Sequence, residues 1–382
     1  MDRDYQALHL QEFEQDPEII VSAPGIANLM GEHTEFAEGH ALSLALPFRM
    51  YVLLSRRDDH SFKFFAPDLD ERKKCSLTNL KYKREDRWAN YIKGSIYGLQ
   101  NMGCPIEGMN ITVGGDVPRS IGLGSSAAIV VAATRAIAEL ENFELTELQL
   151  LQCAHQAETA FLQEDTGLLP HLACYHAKAG HLSLIDTHTL EIAYLPFAPD
   201  DSQLLLIDTR VPSQEVEEDR EERIELTNEC MLQLKEKLGG RDYRHLSPGE
   251  IRQSLGILPE SRRRICIHVA QEYHRVTDVR EFIAGGDFVH LGKEMLRSHE
   301  GLRDLMEVSV PEIDWIVKRG TEMEGILGSR LSGRGFGGCV LVLIRRDALE
   351  SYREKMEEYE RIFGFHPHIY PISPGDGTRR EL

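Results

Sequence analysis

The chain has 382 residues, 42% hydrophobic and 27% charged, and its 43 Lys+Arg against 62 Asp+Glu give a formal net charge of −19. This ordinary globular composition excludes disordered, collagen-like and low-complexity architectures, and the length favours two domains. The acidic balance removes the general attraction to nucleic-acid backbones and no basic patch offsets it, so any polyanionic ligand must be gripped locally.

In chain order, the opening Met-Asp-Arg-Asp-Tyr is acidic and polar where a secretory leader would be basic and then apolar. Short β-branched strands are predicted at 18–23, 50–55 and 110–113. Helical periodicity takes over at Ser125. The run to about Leu140 is Ala-rich and almost wholly apolar, which predicts a buried helix introduced by serines able to cap it. A second helix is predicted at 145–162 and strands at 181–186 and 203–208. The Pro/Asp-containing bridge from Pro196 to Ser202 marks a domain boundary, dividing the chain into 1–200 and 201–382.

The second half is predicted mostly helical, at 214–238, 259–282, 284–298 and 310–323, followed by a strand at 338–344 and a charged amphipathic helix at 347–362. The Glu- and Arg-dense stretch 215–225 reads as a solvated helix face with i,i+4 ion pairs. Nothing approaches the ~20 apolar residues needed to span a bilayer. The seven cysteines form no C-x-x-C pair, which points away from a disulfide framework or zinc ribbon, and their odd count favours a reducing compartment. The expectation is a cytoplasmic chain with no nucleic-acid or membrane partner. His366-Pro-His368 has metal-ligand types but no third partner at sensible spacing.

The run Asp116-Val-Pro-Arg-Ser-Ile-Gly-Leu-Gly-Ser-Ser-Ala-Ala128 follows a predicted strand and leads into the buried helix. Gly122 and Gly124 allow a tight turn and close approach of a ligand, while unpaired N–H groups and the macrodipole of the helix favour an anion. Ser125 and Ser126 add hydroxyls, one of which can ligate the magnesium that accompanies a nucleotide. No Gly-Lys-Ser/Thr follows, so this is not a Walker loop, and the third glycine of a dinucleotide fingerprint is replaced by serine.

Pro118–Ala128 matches P-x-x-x-G-L-G-S-S-A-A, the second motif of the GHMP small-molecule kinases, residue for residue. Ala23–Gly39 resembles the galactokinase signature P-G-R-x-N-L-I-G-E-H-T-D-Y-x-x-G. Gly328–Cys339 is similar to the third motif, G-S-R-M-T-G-A-G-F-G-G-C, and Ser298–Asp314 to a further galactokinase segment. Trp88–Gly94 and Gly375–Gly377 are lesser echoes. The resemblance spans nearly the whole chain and implies an α+β, two-domain GHMP kinase fold. Its N-terminal domain would be ribosomal protein S5 domain 2-like, carrying the sugar signature and the ATP loop, and its C-terminal domain ferredoxin-like.

What the resemblance implies for the site is specific. Ser120, Gly122, Leu123, Gly124, Ser125 and Ser126 would bind ATP, Ser126 and Glu158 would hold Mg2+, and Glu32, His33, Glu35 and Gly167 would contact the sugar. Glu35 stands where the family has aspartate, which keeps the charge and adds a methylene. Ile26 stands at the family's catalytic arginine and Pro170 at its catalytic aspartate, in Thr166–His171 against C-G-I-M-D-Q. Losing a general base costs ~10²–10⁴-fold, and losing a cation beside the transferring phosphoryl adds to that. His171 and Arg334 are candidate substitutes, with Arg119 inside the loop; proline at 170 is expected to perturb the helix start that would aim His171. The family's sugar-stacking tyrosine is not evident, since Arg220 falls there. The implied activity is phosphorylation of galactose or a related sugar at its anomeric hydroxyl. The alternative is a pseudokinase that binds nucleotide and sugar and acts through a protein partner, for which the family has precedent among transcriptional inducers.

Overall fold

The computed structural model describes residues 4–382 except 120, 165, 213–224, 230, 234, 237–238, 241–242, 247–248, 251–252, 254–255 and 257–259. Two sheets organise it. The first has eight strands: β1 (Ile19–Met30), β2 (His40–Arg56), β3 (Ser61–Ala66), β4 (Glu71–Ser76), β5 (Met109–Gly115), β6 (His181–Asp186), β7 (Ile192–Pro196) and a final short strand, Arg379–Arg380. Its main path runs from Arg379–Arg380 through β1, β2, β5 and β3 to β4, and β6 pairs both β2 and β7. All pairings are antiparallel except β3 with β5.

β1 is longer than the predicted 18–23 because the Pro-Gly of the signature does not end the strand. It is absorbed as a register shift between Pro24 and Ile26, the place a strand tolerates residues that cannot hold the ladder. β1 is buried along both faces, with only Asn28 part-exposed.

Helix α1 (Tyr5–Phe13) packs on β2 and β5. Helices α2 (Ala89–Asn101), α3 (Ser125–Leu140), α4 (Glu147–Gln156) and α5 (Leu169–His176) cover the first sheet and one another. In α3 only Ser125, Ser126, Arg135 and Glu139 escape burial, as the alanine-rich pattern requires of a helix pressed against β1 and β2. The predicted helix 145–162 is two pieces: α4 ends at Gln156 and residues 157–162 widen into a π-type turn. Such turns re-aim side chains and recur at functional sites.

The chain leaves the first sheet at Pro196 and enters the second at Ser202. Here β8 (Ser202–Asp208), β9 (Ile326–Ser332), β10 (Cys339–Arg345) and β11 (His368–Ile372) lie in the order β11-β8-β10-β9, all antiparallel. Helices α6 (Glu260–Ala284), α7 (Phe288–Asp304), α8 (Pro311–Glu322) and α9 (Leu349–Phe363) accompany it. The break before α7 falls later than predicted, because Gly286 adopts φ +70° and Asp287 caps the new helix by accepting the His290 N–H at 3.1 Å. The predicted helix 214–238 lies mostly outside the described residues; 225–229 are helical.

Cys75, Cys104, Cys153, Cys174 and Cys339 are free thiols, whereas Cys266 is disulfide-bonded, which the dispersed cysteine spacing does not predict. Among the described residues no helix is long and apolar enough to cross a membrane.

Candidate active site

The loop from β5 to α3 is built by backbone. Gly122 (φ +80°) and Gly124 (φ +65°) take left-handed values, and a Cβ on Gly124 would fall 2.6 Å from Ile26 Cγ1. The Ile26 N–H donates to the Leu123 carbonyl at 2.9 Å, so β1 holds the loop from beneath. From the other side Gly333 backs onto Gly122: a Cβ on either would stand 3.4 Å from the other's Cα. The two glycine-rich segments, about 200 residues apart, therefore abut. Gly124 gives α3 no side-chain cap. The first N–H groups and the positive end of the dipole are left for an anion.

Two cavities flank this loop. One of ≈ 830 Å³ is walled by Tyr82, Trp88 and Tyr91, with Arg84, Arg87 and Arg119 on its lining. The second, ≈ 500 Å³, is lined by the signature residues Ile26, Glu32, His33 and Glu35, by Thr166, Leu169 and Pro170, and by Gly333 and Arg334. Tyr91, Ser125, Ser126 and Glu164 line both. The Tyr91 hydroxyl donates to Glu164 Oε1 at 2.8 Å. Burial, then the carboxylates of Glu164 and Glu158, push the Tyr91 phenol well above its ordinary range, so it stays protonated.

The π-type turn turns Glu158 inward. Burial alone would raise its pKa, but His171, the Ser126 hydroxyl and Arg334 outweigh burial and hold the carboxyl below the usual range. Its Oε2 lies 2.9 Å from His171 Nε2, with side-chain exposures of 2% and 0%. This is an ion-pair approach without hydrogen-bond alignment, and Glu158 Oε1 has no hydrogen-bond partner among the described residues. His155 packs edge-on against His171 and donates Nε2–H to the Thr166 carbonyl at 2.7 Å. A buried, ionised carboxylate with an unsatisfied oxygen, beside a serine hydroxyl at an anion-binding loop, is a donor set that fits magnesium.

On the signature side, β1 runs into Gly31 (φ +90°) and His33 (φ +61°). Glu32 Oε1 accepts the Gly333 N–H at 2.6 Å and Oε2 the Asn28 amide at 3.2 Å. Burial pushes Glu32 up, only partly offset by Arg330 and these hydrogen bonds. Arg330 is fully buried and in electrostatic contact with Glu32 and Glu272. Glu35 Oε2 rests 2.7 Å from where a Cβ on residue 167 would be, so the carboxylate occupies the space Gly167 leaves open.

Ile26 is buried under Gly124, and Pro170 stands on the wall of the second cavity beside Leu169. Pro170 lies in the first turn of α5, where a missing N–H breaks no helical bond, so it starts the helix instead of disturbing it, contrary to expectation. His171 points into the interior toward Glu158 and does not line the cavity. Arg334 is exposed at the rim of the second cavity; Arg119 borders the first, with Nη2 3.9 Å from Asp68 Oδ2. Ser120 and Arg220 lie outside the described residues. His366 meets Glu360 and His368 meets Arg210, and among the described residues no group of three metal-ligating side chains forms. Sequence reading does not single out Tyr91 or Glu164. The run Trp88-Ala-Asn-Tyr gave a signal for the first, and nothing marked the second.

Comparison with known proteins agrees with this geometry. Residues 7–56 match the galactokinase galactose-binding signature, 90–178 the GHMP kinases N terminal domain and 279–361 the GHMP kinases C terminal family. The galactokinase of Thermotoga petrophila is 33% identical over 361 residues, covering 94% of this chain and 99% of that one. The Haemophilus influenzae galactokinase is 31% identical over 383 residues, with 98% of each covered. The crystal structure of Lactococcus lactis galactokinase complexed with galactose superposes with a TM-score of 0.91 at 25% identity, over 98% of both chains. The mevalonate kinase of Methanococcus jannaschii, at 17% identity and a TM-score of 0.62, shares the fold. With the two-sheet architecture and ordered motifs, these likenesses establish that the chain belongs to the galactokinase family and has the two-domain GHMP kinase fold, a galactokinase-like sugar kinase by homology and structure.

Proposed function

We propose that this chain transfers the terminal phosphoryl group of ATP to galactose or a related sugar at its anomeric hydroxyl, with the nucleoside in the larger cavity and the sugar in the smaller. The observation that carries the reading is that the two cavities meet at the helix N-terminus, on the shared residues Tyr91, Ser125, Ser126 and Glu164. A reaction that depends on positioning and charge neutralisation more than on covalent chemistry needs such a junction. Backbone N–H groups of Gly122–Ser126 would grip the phosphates, Ser126 and Glu158 would hold magnesium, and Arg334 would supply the cation absent at Ile26. Magnesium, when bound, would neutralise phosphate charge during transfer. Glu32, His33 and Glu35 would face the sugar hydroxyls. Residues 1–200 would carry the sugar signature and ATP loop and 201–382 the second domain, with 379–380 returning to the first sheet.

A second reading, binding of nucleotide and sugar without turnover, is favoured by the apolar wall of Ile26, Leu169 and Pro170 in the smaller cavity. One preparation separates the two. ATP affinity by calorimetry and phosphoryl transfer across a sugar panel are measured together; turnover on galactose or another hexose supports the kinase, and tight binding of both ligands with no product overturns it.

A further inference from the structure

We propose that Glu164 accepts the proton of the attacking sugar hydroxyl, a role Pro170 cannot fill; this rests on the kinase reading above. Four carboxylates line the smaller cavity, those of Glu32, Glu35, Glu158 and Glu164. Glu32 is tied by both oxygens to Gly333 and Asn28. Glu35 lies against Gly167 and does not line the larger cavity. Glu158 is buried against His171 and suits a metal. Glu164 alone of the four also borders the nucleotide cavity, so it stands where acceptor and phosphoryl group must meet.

Its surroundings fit a proton acceptor. Tyr91, from α2, donates its hydroxyl hydrogen to Glu164 Oε1 at 2.8 Å and so fixes the carboxylate's orientation. Around Tyr91 lie Glu158 from the π-type turn and Arg334 from the β9–β10 loop, so acidic and basic groups both face this junction. Of the residues common to both cavities, two are serines and one is a phenol that stays protonated. Glu164 is the one carboxylate among them, placed on both cavities at once.

In the step, the acceptor O–H bond breaks as its oxygen bonds to the γ-phosphorus. The proton passes to the Glu164 carboxylate. The bond from that phosphorus to the β–γ bridging oxygen breaks with its electron pair leaving on ADP, and Glu164 then returns the proton to water.

The experiment compares wild type with Glu164→Gln for kcat and, by calorimetry, for ATP and sugar affinity. The expected result is a kcat loss of ~10²–10⁴-fold with both affinities unchanged. A Gln variant that turns over at the wild-type rate overturns the role of Glu164 and leaves the kinase reading standing. A wild type without turnover on any sugar overturns both. Should Glu164→Gln fail to fold, Glu164→Ala with added formate decides: restored turnover supports the assignment, and none overturns it.

Discussion

Glu272 Oε1 accepts the Gly31 N–H at 2.9 Å, joining residues 241 positions apart. The same carboxylate takes the Ser298 hydroxyl at 2.6 Å, both out of solvent, and pairs with the part-buried Arg275. Burial by itself would raise its pKa, but Arg275, His268 and Arg330 reverse that and bring Glu272 from 4.5 down to about 2. A carboxyl depressed on folding stabilises the native state fully above its unfolded value and loses that contribution as pH falls through the folded one. The loss therefore spans about pH 4.5 to 2 and amounts to about 3 kcal/mol. Glu272→Gln is expected to flatten the stability–pH curve in that window. At neutral pH it should cost ~3–5 kcal/mol, because Arg275 and Arg330 lose a buried counter-charge. Urea unfolding from pH 7 downward measures both.

His171→Ala removes the buried imidazole 2.9 Å from Glu158 Oε2, one of the groups that hold that carboxyl down, and is expected to cost ~1–3 kcal/mol in thermal or urea unfolding. The neighbouring Ser126→Ala and Glu158→Ala variants address metal instead. Each is expected to weaken ATP binding when magnesium is present and to leave it unchanged when magnesium is chelated. Equal losses in both conditions would count against the metal assignment.

Gly124→Ala forces a side chain into a left-handed residue, at ~1–2 kcal/mol, and drives Cβ to 2.6 Å from Ile26 Cγ1. ATP affinity should fall about tenfold, with sugar affinity retained. Adding Ile26→Ala removes the clash and should recover part of the loss, so the double-mutant cycle reports a coupling between the strand and the loop.

Arg334→Ala should lower kcat by ~10²–10³-fold if its guanidinium serves the transferring phosphoryl, with a smaller change in ATP affinity. Installing Ile26→Arg in that background is expected to return some of the lost rate, since residue 26 borders the same cavity. Steady-state kinetics on the sugar panel reads both variants.

The parts of the fold legible in the sequence were those with uninterrupted local patterns. The helix at Ser125–Leu140 was readable because its alanines and β-branched residues face packed surroundings on nearly every side. β4 carries no β-branched pattern to predict it, since Glu71-Arg-Lys-Lys is charged throughout, and an edge strand carries charge readily on its open side. β1 was cut short because Pro-Gly reads as a stop, whereas a bulge accommodates it. The site shows the same division. Ser126 and Glu158 lie in recognisable motifs, but Tyr91 and Glu164 come from separate segments and meet only when α2 packs beside the turn after α4. The approach of Glu158 to His171 depends on the π-type turn, which no local pattern announces.

The buried guanidinium of Arg49 donates to the carbonyls of Asp376 and Gly377, Arg379 and Arg380 extend the β1 edge, and Glu381 accepts the Ser22 hydroxyl. During synthesis, then, β1 and β2 emerge from the ribosome more than 300 residues before the segment that completes them. Until residues 376–381 arrive, the nascent sheet carries an open edge at β1 and Arg49, held there by Ser22 alone, lacks its two distant carbonyl acceptors, the condition that invites chaperone capture or premature strand pairing. Native closure of the first sheet thus waits on a segment made more than 300 residues after the strands it completes.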